Sequence, residues 1–430
     1  YTPNTDFSGT DTFTFKANDG TTDSTTKTVT VTVIGGYKTT QIQIGQDIDG
    51  EAADDISGSS VSFNEDNTIM AVGAYQNDGI ARTGSGHVRV YQLVGSTWTQ
   101  LGQDIDGEAG FDNSGYSVSL SSDGKTLAVG APGHNSNQGT VRMYKYNGVD
   151  TWNQLGDDID GEAGDQQGFS VSLSSDGTTL AVGASYNDGD NGTDSGRVKV
   201  YNWNGTTWTP LGGDIDGEAG FDESGYSVSL SSDGTTLAVG AIWNNGIGGT
   251  SSGHVMVYKY QEATWNQLGQ DIDGEQANDV SGYSVSLSSD GTILAVGAPY
   301  HDGRKGHVRV YKYNGSDTWN KVGQDIDGEA VGDESGYSVS LSSDGTTLAI
   351  GANNSEGNGT FSGHVRVYKY QEATWTQRGA DIDGEAAGDQ SGVVSLSSDG
   401  TTLAVGAPFN DGSKGHVRVY NLVNANAPVA

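Results

Sequence analysis

The sequence predicts an all-β fold, a seven-bladed β-propeller of four-stranded antiparallel blades, on three observations. The tetrapeptide DIDG stands at 47, 104, 158, 214, 271, 325 and 381, so a unit of 54 to 57 residues recurs seven times, the length of a propeller blade rather than of a helical repeat. Sixty-seven glycines and 20 tyrosines among 430 residues, with Thr, Ser and Val abundant, favour short strands and tight turns over helix. Each unit also parses into four strand signals.

One unit runs TWTQLGQDIDGEAGFDNSGYSVSLSSDGKTLAVGAPGHNSNQGTVRMYKYNG (97–148). YSVSLS (116–121) alternates Tyr116, Val118 and Leu120 with serines, the period-two mark of a strand. SSDG (121–124) is a hairpin turn whose glycine supplies a positive φ. TLAVGA (126–131) is a small, mainly apolar central strand, TVRMYKY (140–146) alternates again, and TWNQLG (151–156) is the outer strand. Six outer strands carry a tryptophan: Trp98, Trp152, Trp208, Trp265, Trp319 and Trp375. Before the first DIDG, TTQIQIGQ (39–46) puts Gln41 in the tryptophan's place, while 391–420 supply only three strands. Residues 38–45 are therefore expected to pair with 415–420 and complete the last blade, which removes an open edge.

The repeated GYSVSLSSDGTTLAVGA and SGHVRVY resemble the FG-GAP class of propeller repeat, found in the integrin α-chain headpiece and in many secreted microbial proteins. The resemblance covers 37–423. In that family calcium often sits in a D-x-D-x-D-G loop between the first two strands of a blade. Here that loop is SSDG, or NEDN (64–67) in the first blade, so calcium does not carry over by analogy. YTPNTDFSGTDTFTFKANDG and TKTVTVTVIG resemble the closing strands of cadherin-like or Ig-like extender domains of large bacterial surface adhesins, and the terminal NAPVA resembles the opening of another. The expected division is an extender fragment at 1–36, a propeller at 37–423 and a linker at 424–430. A Thr-rich strand pair packed on the propeller is the plainer reading of the first segment.

Twenty-one basic against 55 acidic side chains give a formal charge of −34, which opposes nucleic acid and attracts cations. With no cysteine, disulfides and thiolate chemistry are excluded. No apolar run approaches the roughly 18 residues of a membrane span, and YTPNTDFSGT lacks the regions of a signal peptide. The chain reads as part of something longer.

In an up-and-down meander the DIDGEA connections and the loops after LAVGA share one face, and the SSDG turns and YNG connections take the other. By the family resemblance, the first of these faces is the one that binds ligand. Each connection carries two Asp two residues apart and a third eight residues after the first, or seven in the third repeat. The candidate metal ligands are Asp47, Asp49 and Asp55; Asp104, Asp106 and Asp112; Asp158, Asp160 and Asp165; Asp214, Asp216 and Asp222; Asp271, Asp273 and Asp279; Asp325, Asp327 and Asp333; Asp381, Asp383 and Asp389. A Gly-bearing turn with alternate carboxylates can converge the six to eight oxygens, at about 2.3–2.6 Å, that calcium takes. Turn-making through Asx bonds and direct ligand contact explain the same residues.

Five histidines, His87, His254, His307, His364 and His416, start one strand each with no carboxylate at a fixed partner spacing, which favours a structural role. No Ser/His/Asp order, nucleophile elbow or phosphate loop appears, so no enzyme is expected. The loops after LAVGA differ in every blade, and four place an aromatic two residues after the GA pair: Tyr186, Trp243, Tyr300 and Phe409. Beside amides and carboxylates, such rings suit stacking on a sugar, or they cover the end of their own blade. The expected function is a non-catalytic extracellular adhesion module binding a surface glycan or protein, with Trp243 and Tyr300 foremost, calcium as candidate cofactor and extender domains as neighbours. The alternative is a self-associating spacer or filament subunit.

Overall fold

The computed structural model describes residues 9–18, 20–33, 41–79 and 83–422. Gly9–Phe15 and Lys27–Val33 form a two-stranded antiparallel sheet of their own, in register from Gly9↔Val33 to Phe15↔Lys27. The expected linker at 424–430 lies outside the described residues.

Seven antiparallel sheets make the propeller. In the second, Ser117–Leu120, Thr126–Ala131, Thr140–Tyr146 and Trp152–Gln154 follow in chain order from the axis outward, and Ile159–Asp160 pairs with Thr140–Tyr146 beyond Trp152–Gln154. The outer strand is thus in two pieces, broken where Gly156 turns to φ +85°. This corrects the reading of DIDGEA as wholly a loop. Its isoleucine is buried in every blade, Ile105 and Ile159 among them, and bonds the third strand, while the flanking aspartates face outward. Only GEA and the residues after it are connection.

The ring closes through the N-terminal side of the propeller. Ile42–Gln43 pairs with His416–Asn421 at Ile42↔Asn421 and Gln43↔Tyr420, and Ile48–Asp49 pairs with the same strand at Val417 and His416. Gln41 fills the tryptophan's role by chemistry as well as position. Each indole donates its N–H to a carbonyl of the preceding outer strand, as Trp152 Nε1 does to Leu101 O at 2.8 Å and Trp375 Nε1 to Val322 O at 3.0 Å. At the equivalent carbonyl of the sixth blade, Arg378 O, the donor is Gln41 Nε2 at 3.3 Å, with a second bond to Ala380 O at 2.7 Å.

The core lies between blades, so each blade is stabilised by its neighbours. Ile69, Ala71, Val88 and Val90 of the first blade pack on Leu120, Leu127 and Val129 of the second, and Met70 and Val72 pack on Ala404, Val417 and Val419 of the last. The serines of the alternating inner strand bond adjacent blades. Leu120 N–H donates to Ser62 Oγ, Leu173 to Ser119, Leu230 to Ser172, Leu287 to Ser229, Leu341 to Ser286, Leu396 to Ser340 and Phe63 to Ser395, at 2.9–3.3 Å. Seven such bonds complete a circle, each worth about 1 kcal/mol net.

Candidate functional site

The GEA connections and the loops after LAVGA carry the candidate aspartates and loop aromatics singled out from the sequence. Within each connection the three aspartates do different work. The first accepts a hydrogen bond from a glutamine four residues earlier, as Asp104 does from Gln100 and Asp271 from Gln267 at 2.6 Å, while Asp325 pairs with Lys321 at 2.9 Å and Asp214 with Arg197 at 3.4 Å. The second ends the short outer strand, where Asp216 meets Arg197 Nε at 2.6 Å. The third is buried and holds its own turn. Asp112 Oδ2 accepts the backbone N–H groups of Glu108 and Ala109, and Asp55, Asp279 and Asp389 repeat the pattern.

Among the described residues, no trio of convergent ligand atoms contains two aspartates of one connection. The spacing that invited calcium therefore does not gather its carboxylates on one point. The glutamate of DIDGE is also engaged: Glu51, Glu108, Glu275, Glu329 and Glu385 each pair with an arginine of the following blade, at 2.9–3.6 Å.

Three of the five strand-start histidines face a glutamate, at 36 residues along the chain in two cases and 31 in the third, so the glutamate stands at no fixed spacing. His87 Nδ1 lies 3.9 Å from Glu51, His254 Nδ1 4.0 Å from Glu218 and His416 Nδ1 3.9 Å from Glu385. The glutamate arrives from the neighbouring blade, so its distance along the chain carries no short-range signal.

The four loop aromatics sit apart in role. Tyr186 packs edge-on to Phe169 with centroids 6.4 Å apart, and lines a cleft of about 710 Å³ with Asp165, Asp188, Asp190 and Asp194. Tyr300 is covered by Arg304, whose guanidinium carbon lies 4.5 Å from the ring centre and which is ion-paired to the buried Glu334. Trp243 and Phe409 are each 37% exposed.

Glu223 stands beside Trp243. Burial pushes its carboxyl up to about 7, against the hydrogen bond from the Trp243 side chain, and the charge of Asp194 adds to the rise. Since the folded-state pKa lies above the ordinary 4.5, the stabilisation from Glu223 is full below about pH 4.5 and is lost as pH rises through about 7. Trp243 emission should titrate with a midpoint near pH 7. A Glu223→Gln protein with the same titration would overturn the assignment.

Phe409 belongs to a feature the sequence reading missed. Tyr116, Phe169, Tyr226, Tyr283 and Tyr337, each the residue after the SG or QG that opens an inner strand, ring the axis with neighbouring centroids 4.9–5.3 Å apart. Tyr75 extends the arc against Tyr116 at 5.3 Å. The first blade has Ser59 at this place, and the last has one residue fewer between Gly392 and Val394. At this gap lies a recess of about 280 Å³, lined by the rings together with Ile56, Val393, Pro408 and Phe409. Burial pushes the phenols of Tyr116, Tyr226, Tyr283 and Tyr337 above their ordinary range, and Tyr283 bonds both Tyr226 and Tyr337. The mouth therefore stays uncharged in a strongly acidic molecule. Its signal was present as an aromatic at one fixed repeat position, read as strand alternation.

Residues 158–201 match the family model described as FG-GAP repeat, and residues 1–32 match that of a bacterial Ig domain. Both agree with the resemblances drawn from the sequence, and together they point to a surface or extracellular propeller module. A comparison with curated proteins gives no match. Among solved structures, a putative 6-phosphogluconolactonase from Bacteroides uniformis is 14% identical, with a TM-score of 0.50 over 76% of this chain and 85% of that one. That likeness is one of fold and does not establish catalysis here. No helix among the described residues is long and apolar enough to cross a membrane.

Proposed function

We propose that the chain is a non-catalytic extracellular binding module whose loop-bearing face takes a surface glycan or protein, with the axial mouth as the seat of contact. The observation that carries the reading is the arc of six aromatic rings around an open recess. Neutral rings beside phenol hydroxyls suit a sugar, which offers C–H faces for stacking and hydroxyls for hydrogen bonds. Trp243 and Tyr300 flank this centre on adjacent blades and supply selectivity through loops that differ. Calcium enters the reading through the cleft lined by Asp188, Asp190 and Asp194, since acidic oxygens are its ligands.

The test is retention on a glycan array and on cell surfaces, in calcium and in chelator. Ser59→Trp, which fills the recess without truncating the arc, should abolish binding, and Trp243→Ala and Tyr300→Ala should each weaken it about 30-fold, the effect of losing an anchor worth about 2 kcal/mol. Full retention by Ser59→Trp moves the site off the axis. Equal retention in chelator removes calcium, and a parent that binds no surface but self-assembles favours the spacer or filament subunit.

A further inference from the structure

Four blades build the same trio from three places in the chain: the glutamate of the incoming connection, the histidine that starts the third strand, and the first aspartate of the outgoing DIDG. The trios are Glu51, His87 and Asp104; Glu218, His254 and Asp271; Glu329, His364 and Asp381; and Glu385, His416 and Asp47. In each, one ligand atom per residue lies within 4.8 Å of the other two. The histidines are 1–3% exposed.

Three of the four trios already contain a cation. Arg89, Arg366 and Arg418, two residues after the histidine, pair with the glutamate at 3.6, 3.6 and 3.4 Å. In the fourth blade this residue is Met256. Among the described residues the ion contact of Glu218 is His254 Nδ1 at 4.0 Å, while the buried Nε2 has no hydrogen-bond partner, as in His364 and His416, so the missing arginine is what sets this site apart. Tyr258 donates its hydroxyl to Met256 Sδ at 3.2 Å rather than to either carboxylate. Two carboxylates thus surround a buried imidazole without the positive charge that the sister sites hold.

We infer that Glu218, His254 and Asp271 bind one divalent transition metal ion of the zinc type, in the place an arginine fills elsewhere. One imidazole and two carboxylates are a nitrogen and oxygen donor set that zinc accepts, with water as fourth ligand, and that calcium, an oxygen-seeking ion, does not favour. Bonds of about 2.0–2.2 Å to a tetrahedral ion bring the donor atoms to within about 3.3–3.6 Å of one another, a closing movement that the half-exposed side chain of Glu218 is free to make. The fifth blade is excluded on two counts. Its His301 and His307 rings are stacked at 3.9 Å with 20° between planes, so their in-plane lone pairs run side by side rather than converge, and Arg309 holds Glu275 at 3.2 Å.

The internal comparison sets the experiment. The full chain, stripped with chelator, loaded with zinc and dialysed, is assayed for metal by mass spectrometry and for melting temperature. The parent should retain one zinc per chain, with a raised melting temperature, and calcium should give neither effect. Met256→Arg, which restores the residue of the sister blades, and Glu218→Gln, at a half-exposed position, should both retain none while melting like the stripped parent. Arg89→Met should retain two. A parent that keeps no zinc, a Met256→Arg protein that keeps as much as the parent, or an Arg89→Met protein that stays at one overturns the proposal.

Discussion

A protein lacking residues 1–50 should lose its single cooperative melting transition and aggregate, while one lacking only 1–36 should melt like the parent. The shorter deletion leaves the closing strand intact. The longer one removes the Ile42↔Asn421 and Gln43↔Tyr420 pairs, the Ile44 N–H bond to Val419 O at 2.7 Å, and the buried Ile48 opposite Val417. It also strips Trp98 of its acceptor, Ile44 O, and of the Gln46 amide that bonds Trp98 O. Loss of the Ile48 side chain alone costs about 2–5 kcal/mol, a large fraction of the roughly 5–15 kcal/mol that holds a typical protein folded. The strand His416–Asn421 is left as an open edge, which invites pairing with other chains. Scanning calorimetry and size-exclusion chromatography decide the matter; a two-state transition at the parental temperature in the longer deletion would reject the closure.

Gly240→Ala should be nearly as damaging, though it adds a single methyl group. A Cβ at this position would stand 2.2 Å from the carbonyl oxygen of Gly282 in the next blade and 2.5 Å from Ser227 Oγ. The first of these atoms is backbone, so no rotamer relieves the contact and the blades must separate. The same approach recurs around the ring, at Gly130 against Gly168 O and Gly406 against Gly58 O, each at 2.1 Å. Overpacking usually costs about 1–3 kcal/mol; a contact between two backbones in a closed ring belongs at or above the upper end. Gly148→Ala is the control: nothing lies within 4 Å of its Cβ, and only its φ of +83° opposes the change, worth about 1 kcal/mol. Chemical denaturation should rank the two clearly, and equal midpoints would show that the blades do not need this contact.

Particular residues show what the sequence made legible. The recurring Trp and the odd Gln41 were enough to place the closing strand, because an outer strand needs the same donor at the same step and glutamine can offer one. DIDG misled where it was read by its turn-forming Asp and Gly alone. The isoleucine between the aspartates is itself a strand alternation, and it is what the sheet buries. Tyr116 was legible as an inward residue of a strand but not as part of a circle, since that depends on Gly115 at φ +87° and on six other blades. The partner of His87 was illegible for a related reason. Glu51 lies 36 residues away in the chain, and only closure of the ring brings it across the blade boundary.

The pairing of Ile42 with Asn421 also fixes how the propeller answers to tension. The chain enters and leaves at one end of one two-stranded ladder, so a pull between its ends never passes through the other six blades. Force applied there acts across the ladder rather than along it, and its hydrogen bonds meet the strain one after another, starting at Ile42. In a sheared pair the same bonds would be strained together and share the load. The closing ladder of the last blade is therefore the place where tension between the two ends of the propeller is first borne.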